Sequence, residues 1–268
     1  MRIIRFLDDA GQQRFGQDFD NGQATLLEGD SITGLVETDQ IYNVKKLLAP
    51  VVPPAIIGIG LNYHQHANET GMEVPRYPVV FMKNPASIAN PEDPILLHPA
   101  LIEPPEVDYE AELAVVIGQA AKDVSTDDAL KHVLGYTAAN DVSARRWQGR
   151  KGAGQWVRAK SFDTFCPLGP ELVTADELQD PQNLRLTCEL NGQLMQDGNT
   201  GDMIFPVAEL ISFLSTGATL LPGTVILTGT PSGVGFTRKP PVYLMPGDTV
   251  EVTLEGIGLL KNPVELQK

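Results

Sequence analysis

Proline and glycine set the main constraint on this chain: 21 Pro and 25 Gly are spread through its 268 residues and leave few stretches long enough for a helix. Between them lie short apolar, largely β-branched runs: AIIGIG, PVVFMK, ELAVVIG, LRLTCEL, TVILTG and DTVEVTLEG. Runs of this length and make-up, bounded by turn residues, read as strands. The expected fold is mainly β with some α, of the α+β class. The pairs Pro222-Gly223 and Pro246-Gly247 are turn chemistry leading into two of these strands.

Two segments read as helices that pack on a sheet. In the first, Ser125 and Asp128 form a capping-box pattern ahead of Ala129, Leu130, Val133 and Leu134, with Gly135 as a stop. In the second, Pro206 suits a first helical position, Val207, Leu210, Ile211 and Leu214 make an apolar face, and Gly217 ends it. Residues 1–50 differ from the rest, with short alternating pieces (MRIIRFL, ATLLEGD) ending in the proline-rich APVVPPA. They read as a small N-terminal β-subdomain, leaving 51–268 as the main domain.

Charge excludes some functions. The 34 Asp+Glu against 20 Lys+Arg give a net charge of −14, with no basic run, which argues against nucleic acid as a partner. No apolar stretch approaches the ~20 residues that cross a bilayer, and MRIIRFLDDAGQQ turns polar before a signal-peptide core forms. The expectation is a cytoplasmic or organelle-matrix protein without a membrane partner. Cys166 and Cys188 match no metal-type spacing and read as reduced, buried residues.

The segment VDYEAELAVVIG carries the strongest chemical signal. Glu110 and Glu112 are two apart, so in a strand they project from one face with Cα atoms ~7 Å apart and can share a cation. The competing reading is a solvated strand edge, which Asp108 on the same face supports. Asp141 in GYTAANDVSARRWQ, directly after the first helix and its glycine stop, adds a third carboxylate, although Asn140-Asp141 also suits a turn. Three oxygen ligands without clustered Cys or His suit Mg²⁺ or Mn²⁺, with Ca²⁺ behind them and zinc disfavoured.

In GLNYHQHANETG, His66 and Glu69 are three apart; on a helix the carboxylate orients the imidazole as a general base. A solvent-exposed loop histidine is the alternative, and the glycine and polar content also fits a lid. Lys160, set among apolar and small residues, and the amides of TGTPSGVG (residues 228–235) could hold an anion. A snorkelling lysine and a plain turn are the alternatives. Nucleotide-binding glycine patterns and a GxSxG elbow are absent.

Taken in order, GLNYHQHANE, PVVFMKNPASI, VDYEAELAVVIG, NDVSARRWQ, AKSFDTFCPLGP, ILTGTPSGVG and PGDTVEV resemble the fumarylacetoacetate hydrolase superfamily. The resemblance covers roughly residues 50–265. DVSARRWQ, KSFDTFCPLGP and FTRKPPVYLMPGD look closest to the branch that includes oxaloacetate tautomerases. It implies a mixed β-sandwich or β-roll core, a homodimer, and a divalent metal held by Glu110, Glu112 and Asp141. It further implies that His66 and Glu69 are a lid-borne dyad, Lys160 an active-site lysine, and Arg145, Gln148 and Thr230 substrate contacts. The founding hydrolase has an acidic metal ligand where this chain has Asn62, which points to a compact 2-oxo acid as substrate.

The expected function is a metal-dependent enzyme acting on a small anionic 2-oxo acid through an enolate, with oxaloacetate tautomerisation or decarboxylation leading. An acylpyruvate- or fumarylpyruvate-type C–C hydrolase is one alternative. A non-catalytic, metal-dependent metabolite-binding protein is the other. The surface charge disfavours long-range attraction of an anion, but screening confines that repulsion to ~8 Å at physiological salt.

Overall fold

The computed structural model describes all 268 residues. All six β-favouring runs are strands, and so are the two N-terminal pieces. Ten strands follow one another through a twelve-stranded sheet in the order 34–43, 23–30, 13–20, 2–7, 166–174, 133–140, 111–117, 225–227, 56–60 and 79–83. A five-stranded sheet runs 193–199, 185–190, 249–254, 258–266 and 95–97. Leu113 and Val115 of the large sheet share the main core with Leu186, Val252 and Leu260 of the small one. This is the mainly β, α+β architecture that the strand pattern implied.

The strand Ala111–Ile117 is buried at every position. Its even side chains face one way: Ala114 and Val116 join a second core with Ile3, Ile56 and Leu168. A strand covered on both faces needs no polar alternation, hence the unbroken AVVI. Residues 1–50 form an antiparallel meander with a small cluster of its own, Ile4, Phe6 and Ala24. It joins the large sheet through Arg2↔Val173 and Ile3↔Leu172.

Five α-helical segments are present: α1 (His64–Thr70), α2 (Thr126–Ala129), α3 (Arg145–Gln148), α4 (Trp156–Lys160) and α5 (Val207–Ser215). The expected helix at 125–135 is shorter than its apolar spacing suggested. Ser125 caps it by accepting from Asp128 N, but α2 ends at Ala129 and a single 3-10 turn carries the chain to His132. Val133 and Leu134 already belong to the strand Val133–Asn140, paired along Ala111–Ile117, and β-pairing overrides the weak local helix signal. Gly135 is therefore not a helix stop. It lies in the ladder against Thr174, where a Cβ would stand 2.3 Å from Val173 O. The α5 reading holds except that Pro206 is the N-cap rather than the first helical residue; Gly217 follows the helix with φ +69°.

Gly135→Ala should lower stability by about 1–3 kcal/mol, because backbone rather than a flexible side chain blocks the added methyl. A shift of the urea midpoint at unchanged slope is the expected result.

Candidate active site and metal centre

Strand register brings the acidic residues together. Glu110 immediately precedes Ala111–Ile117, and Asp141 immediately follows Val133–Asn140. The two strands pair Ala111 with Asn140 and Glu112 with Ala139. Asp141 N donates to Glu110 O at 2.9 Å, and Glu110 N donates to Asn140 Oδ1 at 3.0 Å. Carboxylate oxygens of Glu110, Glu112 and Asp141 consequently lie within 4.8 Å of one another. Asp141 follows a strand, not the helix and glycine stop that the sequence suggested.

None of these carboxylates is on a solvated edge; Asp108, Glu110, Glu112 and Asp141 are all buried. Asp108 has a structural task, accepting from the Tyr109, Gly235 and Phe236 amides and from Arg145 Nε. Lys160 does not snorkel: from the end of α4 its Nζ donates to Glu110 Oε2 at 2.6 Å and Asp141 Oδ2 at 2.5 Å. Arg145 Nη1 lies 2.6 Å from Glu110 Oε1 and donates to Gln148 Oε1 at 2.9 Å, one turn along α3.

The sequence reading missed Lys83. Its Nζ, fully buried, donates to Asp141 Oδ1 at 2.5 Å. The signal was alternation in Val79–Lys83, where Val80 and Met82 are exposed while Phe81 and Lys83 face inward.

The charges do not balance. Four buried carboxylates face two buried lysines, Lys83 and Lys160, and the half-buried Arg145. Burial opposes ionisation of Glu110, but Lys160 and Arg145 outweigh it and hold the carboxyl well below its ordinary range. Burial likewise disfavours charge on Lys160, yet Asp141 and Glu110 raise its pKa. Glu112 goes the other way: burial, then repulsion from Asp141 and Glu110, pushes it well above the ordinary carboxyl value. Its one hydrogen-bond donor is Gly229 N at 2.8 Å. An unmatched buried carboxylate requires either a proton or a cation. An all-oxygen donor set with one negative charge in excess fits a hard divalent ion.

The dyad is formed. His66, 6% exposed, lies on α1 with Nδ1 2.9 Å from Glu69 Oε1. It is not a solvent-exposed loop histidine. The glycine-rich loop is not a free anion cradle, because its amides hold protein carboxylates: Gly229 serves Glu112, Gly233 serves Glu69 and Gly235 serves Asp108. Thr230 Oγ1 donates to Ala111 O and accepts from Gln196 Nε2. Asn62 faces away from the cluster, its amide bonded to Phe205 and Thr228.

A cavity of about 300 Å³ joins these groups. His66, Glu110, Glu112, Arg145, Gln148, Lys160 and Thr230 line it, while Glu69 and Asp141 stand behind His66 and Lys160. Leu61, Met72, Phe81, Trp156 and Phe236 form its apolar wall. Arg145 Nη2 is buried and, although 2.9 Å from Asp108 Oδ2, makes no hydrogen bond. Cys166 and Cys188 are free and buried, and burial pushes the Cys166 thiol up to about 12.

A buried acid triad under a histidine–glutamate dyad, on this pair of sheets, defines a class of enzyme. The sequence pattern described as fumarylacetoacetate (FAA) hydrolase C-terminal matches residues 55–265, and the chain belongs to that family. Among its relatives, "Oxaloacetate tautomerase fahd2, mitochondrial" of Xenopus laevis is 51% identical over 219 residues, 81% of this chain and 68% of that protein. The "Fumarylacetoacetate hydrolase domain-containing protein 2 homolog" of Dictyostelium discoideum is 49% identical over 300 aligned positions, covering 99% and 97% of the two chains. A solved structure of 5-carboxymethyl-2-hydroxymuconate delta-isomerase from Mycobacterium smegmatis superimposes with a TM-score of 0.86 at 39% identity and full coverage of both chains. The resemblance to the oxaloacetate tautomerase branch holds.

Because the fold raises the pKa of Glu112, its neutral form stabilises the metal-free protein below the unfolded value of ~4.3, and this contribution is lost as pH rises through the folded value. In EDTA, Glu112→Gln should therefore gain stability over the parent between pH 5 and pH 8, read from urea midpoints. Saturating Mg²⁺ should reverse the order at pH 8, since the ion favours the ionised parent.

Proposed function

We propose that this chain is a divalent-metal-dependent tautomerase of oxaloacetate or a close 2-oxo acid. The observation that carries the reading is the placement of His66, Lys160, Glu110 and Glu112 around one small cavity, with Asp141 within 4.8 Å of both glutamates. The names of the related tautomerases and isomerases support it. Held by the triad, Mg²⁺ or Mn²⁺ supplies Lewis acidity for negative charge on the keto oxygen.

The protein's own groups carry the proton. His66 presents Nε2 to the cavity because Nδ1 is bonded to Glu69; it removes a proton from C3 of the keto form, and the resulting imidazolium returns a proton to the C2 oxygen to complete the enol. Glu69 fixes the tautomer and stabilises the imidazolium. Lys160 neutralises charge on the 2-oxo acid, and Arg145, which also lines the cavity, adds positive charge opposite a substrate carboxylate. Gln148 fixes Arg145, and Thr230 lines the substrate side.

The apolar wall of Met72, Trp156 and Phe236 favours a second reading, C–C hydrolysis of a 2,4-dioxo acid with an apolar tail, in which His66 activates water. For a homodimer, the support is an exposed apolar strip of Val80, Met82 and Val157 along the edge strand Val79–Lys83 and α4. No helix is long and apolar enough to cross a membrane. The mitochondrial designation of the relatives supports an organelle matrix over the cytoplasm.

His66→Ala should retain Mg²⁺ binding and lose turnover by about 10²- to 10⁴-fold. Glu110→Gln combined with Glu112→Gln should abolish both binding and turnover. NMR of the Mg²⁺-loaded protein with oxaloacetate, acetylpyruvate and fumarylpyruvate separates the chemistries. Enol–keto interconversion of oxaloacetate supports the proposal; CO₂ release alone or cleavage of the dioxo acids replaces it.

A further inference from the structure

The helix that carries His66 is seven residues long, with no acidic residue in its first turn and no side-chain cap from its own N-cap residue, Tyr63. A helix of that length does not hold itself in water, so its position is set by what it is bonded to. At its start most of those bonds come from one distant stretch, residues 202–205. Asp202 Oδ2 accepts from Gln65 N at 2.9 Å. Met203 forms an antiparallel bridge with Tyr63. Ile204 N donates to Asn62 O at 2.8 Å, and Phe205 N donates to Asn62 Oδ1 at 2.9 Å. Asn62 Nδ2 donates in return to Phe205 O at 3.1 Å and Thr228 O at 2.8 Å.

Asp202 is itself firmly seated. It ends a 3-10 turn, Thr200–Asp202, capped by Asn199 Oδ1 on Gly201 N, and Thr200 is tied to Leu184 through both backbone and hydroxyl. Its carboxylate therefore meets an amide of α1 one residue before His66, where acceptor and helix dipole act in the same sense. The far end of α1 is held separately, by Gly233 N on Glu69 Oε2 at 2.8 Å.

We propose that Asp202 is a positioning residue for His66: by capping α1 from outside the helix, it fixes where the imidazole stands over the cavity. The inference rests on His66 as the base. Asn62 belongs to the same seat, and an aspartate there could accept from Phe205 N but donate to neither Phe205 O nor Thr228 O.

Asp202→Ala and Asp202→Asn test this in the full chain. Hydrogen exchange of the α1 amides is measured together with kcat and KM for oxaloacetate and with Mg²⁺ affinity. Losing a cap is worth about tenfold in a local equilibrium. In Asp202→Ala, exchange across residues 65–71 should accelerate by about that factor and kcat should fall by a similar one, with KM and Mg²⁺ affinity within about twofold of the parent. Asp202→Asn, which keeps an acceptor oxygen, should restore most of both. Unchanged α1 protection and kcat in Asp202→Ala would overturn the proposal. Equal loss of protection in the two sheets and in α1 would also overturn it, by showing that Asp202 holds the whole fold. The exchange readout needs no substrate, so a parent chain without tautomerase turnover defeats the functional reading and leaves the seating of α1 decided on its own.

Discussion

Two paired strands deliver three carboxylates to one end of a sheet covered on both faces, and the surrounding pocket is organised around the cost of that placement. Taking one such group out of water costs several kcal/mol unless it is paired and hydrogen-bonded. Lys83, Lys160 and Arg145 meet Asp141 and Glu110, each from a different part of the chain. Glu112 receives a single backbone amide and remains the carboxylate without a counter-charge. Asp108 absorbs part of the positive charge of Arg145 and pins the Gly235–Phe236 turn. Ion pairing here serves placement more than stability: a hydrophobic core at the same position would be easier to build and would have no chemistry.

Much of this was legible before any coordinates. The β-rich class followed from turn residues spaced between apolar runs, and the Glu110–Glu112 spacing fixed two carboxylates on one face. What the sequence could not give was which face is wet. Asp108, Glu110 and Glu112 alternate as an exposed edge would, and only the layers packed on both sides show that all three are buried. Lys83 was lost for the same reason: a lysine ending a five-residue strand looks solvated until its partner, 58 positions away, is known. The helix expected at 125–135 failed through competition, because Val133 and Leu134 fit a helical spacing but gain more from pairing along the central strand. Boundaries of this kind are settled by tertiary contacts rather than by local propensity.

The glycine-rich loop shows how a local reading can find the right segment and miss its task. Its amides do stabilise anions, as expected of such a loop, but the anions are side chains of the protein itself. Backbone donors fixed in this way hold Glu112 and Glu69 in geometry before any substrate arrives, and fixed donors of this kind are what lets a preorganised site avoid reorganising during reaction.

Glu69 divides its two oxygens between His66 and the loop amide of Gly233, and Arg238 and Tyr109 in turn hold the carbonyl of Gly233. His66 is thus held as part of a composite. A protein engineer who transplanted the short helix alone would move an imidazole without its bearings; helix, loop and the arginine clamp have to travel as one module.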